Sequence, residues 1–227
     1  NINSNLLIIS LCMGDNMKVE LIDRMGGDLT VANSARVSFA KQVYKFRDSD
    51  EKLVEFLARE DHWTPFAHVQ VQFRIKAPVF VARQLVKHQV GMVWSETSRR
   101  YVDTAPEFHA PEGWRKRAPD KKQGSLNETL DNDSLVYNAY WDLMTRSEEL
   151  YDFMLEKGVA PEQARMILPQ SMMTEWIWTG SLVAFARVVK LRSSPDAQYE
   201  CQHIANRIKK ELDNTPQVRY SWRELCQ

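Results

Sequence analysis

Between Pro78 and Tyr101 the chain concentrates side chains that bind anions and carry protons. At 100° per residue, Val79, Val81, Ala82, Leu85 and Val86 fall on one arc of a helix, and Arg83, Gln84, Lys87 and His88 share the opposite arc with Phe80. No acid interrupts that polar arc. It suits a bound anion and equally an ordinary solvated face. Further on, Glu96, Ser98 and Arg100 recur at every second position, so an extended segment would point all three the same way. A guanidinium there suits phosphate, and a hydroxyl with a carboxylate suits a sugar or a base. A surface turn rich in hydrogen-bonding groups has the same composition. The three cysteines, Cys12, Cys201 and Cys226, show no CxxC or CxxH spacing and sit in no motif that would lower a thiol pKa. They indicate no disulfide set, no metal site and no cysteine nucleophile.

The elements that position these residues are legible in outline. His68 to Lys76 alternates strictly, which predicts a strand with Val69, Val71, Phe73 and Ile75 toward a core and Gln70, Gln72, Arg74 and Lys76 away from it. Pro78 ends that strand where a helix can begin. Upstream, Lys18 to Ile22 reads as a strand, Gly26-Gly27 as a turn, and 31–39 and 48–60 as helices. Residues 90–125 read as a loop whose basic run Arg115-Lys116-Arg117 is solvated surface, and 121–132 as a polar, mobile stretch. Ser134 can cap a long helix over 134–157 closed by Gly158, and a shorter helix over 161–168 stops at Pro169. A strand over 172–178 puts Trp176 and Trp178 on one face. Helices over 181–190 and 196–212 complete the chain, the last with the stripe Ala197, Cys201, Ile204, Ile208 and Leu212. The expected class is α+β, a small, mainly antiparallel sheet packed with several helices.

With 227 residues, 44% of them hydrophobic, and 7 Trp, 7 Tyr and 9 Phe, the chain can bury one continuous core, which excludes bulk disorder. Thirty basic residues against 30 acidic ones leave no long-range field for nucleic acid or an anionic membrane, so any anion site is local. The apolar run over 6–13 is too short to span a bilayer and follows no basic residue. Residues 1–16 read as an upstream extension outside the fold, and 17–227 as a single domain. A reducing cytoplasm, a host's if the source is viral, suits the cysteine usage.

The stretch K-H-Q-V-G-M-V-W-S-E-T-S-R-R-Y over 87–101 resembles the signature of the flavin-dependent thymidylate synthases, R-H-R-x-x-S-x-N-E-x-S-x-R-Y. Glu96, Ser98, Arg100 and Tyr101 keep its second half. Lys87 and Gln89 replace two arginines, Ser95 replaces asparagine, and one extra residue separates His88 from Glu96, the look of a divergent, viral-type branch. Four further blocks follow the family's order: His62-x-Thr64-Pro65-Phe66-x-His68, Lys76 to Gln84, Ala164-Arg165-x-Ile167-Leu168-Pro169, and Leu191-Arg192 followed by Ala197-Gln198.

The resemblance implies reductive methylation of dUMP to dTMP with methylenetetrahydrofolate as carbon donor and NADPH-reduced FAD as hydride source. It assigns Gln84, Glu96, Thr97, Ser98, Arg99, Arg100, Arg165 and Arg192 to dUMP, with Arg192 catalytic. FAD falls to His62, Thr64, Lys87, His88, Gln89, Ser95, Glu96, Ser181 and Arg187. Here the sequence departs again: the family has asparagine at the positions of Ser181 and Arg187, arginine at Val183 and histidine at Asp196. It also implies a homotetramer with sites shared between subunits, against which Trp176 and Trp178 are expected to bury, and no nucleic-acid or membrane partner. The competing reading is a non-catalytic nucleotide-binding or RNA-binding module, or a structural homologue that has lost the chemistry.

Overall fold

The computed structural model describes residues 16–119, 124–131 and 134–227, so the reading of 1–15 as an extension lies outside the described residues. Asn16 belongs to the fold: its side-chain amide donates to Glu107 Oε1 at 2.8 Å and to the Phe108 carbonyl at 3.2 Å.

In chain order the elements are β1 (Lys18–Met25), α1 (Asp28–Arg36), α2 (Asp48–Arg59), α3 (Thr64–Ala67), β2 (Gln70–Pro78), α4 (Val79–Leu85), β3 (Met92–Glu96), β4 (Arg115–Arg117), β5 (Ser125–Thr129), α5 (Ser134–Glu156), α6 (Pro161–Ala164), β6 (Met173–Ser181), α7 (Leu182–Arg192), α8 (Tyr199–Asp213) and α9 (Arg219–Leu225). Short 3-10 turns extend α1 over Val37–Phe39 and α6 over Arg165–Ile167, and another, Pro216–Val218, precedes α9. The α+β class is as expected. Among the described residues no helix is long and apolar enough to cross a membrane.

The chain forms two compact units. One comprises Val19–Ile75, Leu85–Ser95 and Trp176–Gln227. Its sheet runs in the order β1-β2-β6-β3. The alternation in β2 does what its period demands: Val69, Val71, Phe73 and Ile75 are all buried. On β6, Trp176 and Trp178 are 1% and 0% exposed, and Trp94 of β3 stacks on Trp176 at 4.4 Å and meets Trp178 edge-on at 5.4 Å. Phe185 of α7 closes the cluster against Phe73 at 5.0 Å and Trp178 at 5.2 Å. At about 25 cal/mol per Å², a fully buried tryptophan contributes roughly 4–6 kcal/mol. The expectation that this tryptophan pair buries against a neighbouring subunit is therefore corrected: both rings are core of their own unit.

The sequence reading ended at Leu212 and missed α9. That helix is amphipathic only through Trp222, which is buried and donates its indole N–H to Asp213 at 3.0 Å. Its start is capped from far away in the chain: Asp28 accepts from the backbone N–H of Ser221 at 2.8 Å and of Tyr220 at 3.1 Å. Burial raises the Asp28 pKa, and those same hydrogen bonds oppose the rise. Gly27 makes the approach feasible, since a Cβ there would lie 2.4 Å from the Gln217 carbonyl oxygen.

The other unit comprises Lys76–Gln84 and Glu96–Glu175 with residues 16–18. Its long helix α5 buries Met144 and Tyr151 and ends at Gly158, whose φ of 80° is the left-handed conformation glycine adopts freely. The loop expectation over 90–125 is corrected twice, because β3 and β4 lie within it. The basic run is β4 itself, paired antiparallel with β5 in a hairpin where Arg115 faces Thr129 and Arg117 faces Ser125. Lys116 meets Glu128 at 3.3 Å and Asp131 at 3.7 Å. The mobile stretch expected over 121–132 thus contains a strand, while 121–123 and 132 lie outside the described residues.

Replacing Asp28 by alanine strands the buried Ser221 N–H and the half-buried Tyr220 N–H and should lower unfolding stability by about 1–3 kcal/mol, with Asp28→Asn losing less because one acceptor remains. Denaturant titration of the two variants measures this.

Candidate active site

In the unit built around α5, a cavity of about 540 Å³ is lined by Lys76, Val79, Arg83, Glu96, Thr97, Arg99, Glu107, Arg165 and Glu175, with Leu168, Pro169, Met172 and Met173 as an apolar wall. Its parts come from distant stretches brought to one place by β6. Thr174, buried on that strand, donates its hydroxyl to Glu96 Oε1 at 2.8 Å, and the Thr97 amide donates to the Glu175 carbonyl at 2.9 Å. Glu96 is thereby held at the end of β3 as an oriented acceptor.

Beyond Glu96 the chain stops being extended. The amides of Tyr101 and Val102 both donate to the Ser98 carbonyl, at 3.0 and 3.1 Å, and the Arg100 amide reaches Ser98 Oγ at 3.3 Å. The expected alternation of Glu96, Ser98 and Arg100 along a strand is therefore corrected: it ends at its first member. The turn swings Arg99 onto the cavity. Its guanidinium donates to the carbonyls of Thr104 and Ala105 and lies 5.9 Å over the Tyr151 ring. Arg100, 50% exposed, is not among the lining residues; it approaches Glu162 at 4.0 Å and covers Tyr101 at 5.2 Å. Ser98 is likewise outside the lining.

Arg165 lines the cavity, and its Nε–H donates to the Glu162 backbone carbonyl at 3.3 Å. On α4 the cavity residue is Arg83, whereas Gln84, one step round the helix, is half-buried and reaches back to the Phe80 carbonyl at 3.4 Å. Lys76 and Glu107 pair with each other. Sequence reasoning passed over Arg83, Lys76 and Glu107 as site residues. Arg83 stood on the polar arc already singled out, and Lys76 on the outward face of the alternating strand, but nothing local marked Glu107. Three guanidiniums, two further carboxylates and an apolar wall make a cavity that can take an anion at one side and a planar polar group at the other.

The remaining predicted residues lie in the unit built on the four-stranded sheet. The helical arc is corrected at its end, because α4 stops at Leu85 and Lys87 and His88 follow in a turn. Lys87, Gln89 and Ser95 are exposed, as are His62 and Thr64 at the start of α3. His62 stacks on Phe56 at 5.9 Å, and the Arg187 guanidinium lies 6.0 Å over the half-exposed Trp63. Arg187 also lines a second cavity of about 380 Å³ with Arg59, Lys190, Val183 and Glu224. Ser181 is buried as the N-cap of α7, its Oγ accepting from the Ala184 amide at 3.3 Å. Exposed donors at Lys87, Gln89, Ser95 and Arg187 fit an anionic, hydroxyl-rich cofactor such as FAD, but the Ser181 oxygen is engaged within its own helix.

Arg192, the last residue of α7, donates from Nε to His88 Nε2 at 3.0 Å across 104 residues of sequence. An accepting Nε2 requires a neutral imidazole protonated on Nδ1. Burial lowers the His88 pKa from 6.5, and the Arg192 charge lowers it further. The two described cysteines are chemically quiet. Burial pushes the Cys201 thiol up to about 12 and the Cys226 thiol up to about 11, so neither supplies a thiolate near neutrality.

Because the folded pKa of His88 lies beneath its unfolded value near 6.5, the imidazole's contribution to stability is complete above about pH 6.5 and is lost as pH falls through the folded value. NMR titration of the His88 ring should find a midpoint below 6.5. In Arg192→Gln it should rise only part of the way back, since burial, the larger cause, remains.

The model of the family described as thymidylate synthase complementing protein matches residues 20–215. A flavin-dependent thymidylate synthase of Thermus thermophilus is 39% identical over 194 residues, covering 84% of this chain and 69% of that protein. The flavin-dependent thymidylate synthase of Kosmotoga olearia is 36% identical over 207 residues, covering 89% and 87%. Among solved structures, a UMP/dUMP methylase PolB from Streptomyces cacaoi bound with 5-Br dUMP superposes with a TM-score of 0.82 at 25% identity, over 92% of this chain and 94% of that one.

Proposed function

Since this chain belongs to the flavin-dependent thymidylate synthase family, we propose that it methylates dUMP at C5 to give dTMP, drawing the carbon from methylenetetrahydrofolate and the hydride from FAD reduced by NADPH. The observation that carries this reading is the 540 Å³ cavity, whose guanidiniums, oriented Glu96 and apolar wall match the phosphate, polar edge and ring of a pyrimidine nucleotide. The likeness to a methylase solved with 5-Br dUMP supports the same choice of substrate.

In this reading Arg83, Arg99 and Arg165 hold the phosphate side of dUMP, while Glu96 and Thr97 take its polar edge. Ser98 and Arg100, outside the cavity lining, would serve a nucleotide of a neighbouring subunit, in keeping with a homotetramer that shares its sites. Methylation at C5 needs electron density there. Loss of the N3 proton spreads negative charge over the pyrimidine, and Arg192, which does not line this cavity, would meet the pyrimidine of a neighbouring subunit's site, where its guanidinium stabilises that charge as it develops and the base becomes nucleophilic without a covalent cysteine adduct. The high thiol pKa values of Cys201 and Cys226 support that route. Lys87, Gln89, Ser95 and Arg187 would hold FAD, with His62, Thr64 and His88 beside them. When bound, FAD supplies the hydride that completes the methyl group. A cytoplasmic setting suits the free thiols.

Release of tritium from dUMP labelled at C5, in the presence of methylenetetrahydrofolate, FAD and NADPH, tests the reaction; absence of release from flavin-loaded protein would reject it. Arg192→Ala should abolish release while the flavin absorbance band persists. By calorimetric titration, Arg165→Ala should weaken dUMP binding by about 1.5–3 kcal/mol, the range for a charged hydrogen bond.

A further inference from the structure

We infer that His88 is the positioning residue for Arg192, its neutral imidazole fixing the guanidinium in the orientation that meets the pyrimidine; this rests on the role proposed above for Arg192. The geometry is specific. Arg192 is the last residue of α7, and its long side chain has four rotatable bonds to fix. The Nε–H donation to His88 Nε2 at 3.0 Å ties down the inner edge of the guanidinium. Because the group is planar, fixing the Nε–H direction sets where both terminal nitrogens lie. A neutral nitrogen acceptor orients the guanidinium without itself adding a negative charge beside it.

His88 is itself anchored. Its backbone amide donates to the Leu85 carbonyl at 3.0 Å, closing the turn that ends α4, and the next residue's carbonyl accepts from the Met92 amide at 3.2 Å. From there the chain enters β3 through Gly91, whose carbonyl accepts from the Ser181 amide at 3.2 Å at the very start of α7. The segment that follows His88 is thus bonded to the beginning of the helix whose last residue, Arg192, meets the His88 ring. A side chain that only filled space there would need no acceptor.

The test uses two variants, each saturated with FAD and assayed per bound flavin. His88→Phe keeps a ring but removes the acceptor; His88→Gln places an amide oxygen near the position of Nε2. In the ligand-free protein, ¹⁵N NMR should show the Arg192 Nε–H resonance slowed in exchange in the wild type and in His88→Gln, and fast in His88→Phe. In tritium release, kcat/KM for dUMP should fall at least tenfold in His88→Phe, and His88→Gln should regain most of that loss. Equal impairment of both variants, or a His88→Phe enzyme with wild-type kcat/KM, would overturn the positioning role; so would an Arg192 Nε–H resonance unchanged in His88→Phe. Wild-type protein that releases no tritium would reject the proposed reaction instead, and the NMR comparison would still decide whether His88 holds Arg192.

Discussion

A guanidinium kept for a ligand must be oriented by something that does not consume its charge. Arg99 donates to the carbonyls of Thr104 and Ala105, Arg165 to the carbonyl of Glu162, and Arg192 to a neutral imidazole. Each of these acceptors carries a partial charge only, so the bond orients the arginine without itself adding a formal negative charge beside it. Arginines with a scaffolding task are held otherwise: Arg36 pairs with the buried carboxylate of Asp50, and Arg223 with Glu224.

That constraint accounts for the irregular backbone around the cavity. Carbonyls inside helices and strands are already engaged by their own ladders, so carbonyls free to accept from a side chain occur at turns and element ends. Thr104 and Ala105 lie in the loop after β3, and Glu162 lies in the four-residue helix α6, where most carbonyls have no intrahelical partner. The family motif breaks out of β3 at Glu96 for the same reason: a continued strand would have engaged its backbone groups in pairing and left Arg99 with nothing to lean on.

Elements whose cause is local were legible. The period-two pattern of β2 places its four apolar residues without help from elsewhere, and Pro78 and Gly158 mark boundaries through their own dihedral preferences. Elements whose cause is remote were not. Helix α9 depends on Asp28, 193 residues before the amide it caps, and the β4–β5 hairpin hides in a polar stretch because both its faces carry charge. At the site, Glu96, Thr97, Arg99 and Arg165 of the residues singled out line the cavity, whereas Ser98, Arg100 and Gln84 do not and Arg83 lines it unannounced, because a turn after Glu96 and the rotation of α4 decide which neighbour faces inward. The tryptophans were assigned to one face correctly, yet only Trp94, coming from another strand, reveals that this face is the unit's own core.

The departures from the family pattern have a consistent physical sense. Val183 stands where the family has arginine, and it is 7% exposed, a place where an unpaired guanidinium would pay a large desolvation cost. Four residues on, one helical turn along the same face of α7, Arg187 is exposed where the family has asparagine. Both positions line the 380 Å³ cavity. A cation is therefore retained on that cavity, displaced by one turn to where solvent and the Trp63 ring can accommodate it. Lys87 and Gln89 in place of two arginines follow the same logic, since both are exposed and keep donors and one charge, though not the bidentate fork. What the chain gives up is geometric specificity at those positions. Under the proposed reading, the donors that would face FAD are residues that the fold leaves in solvent.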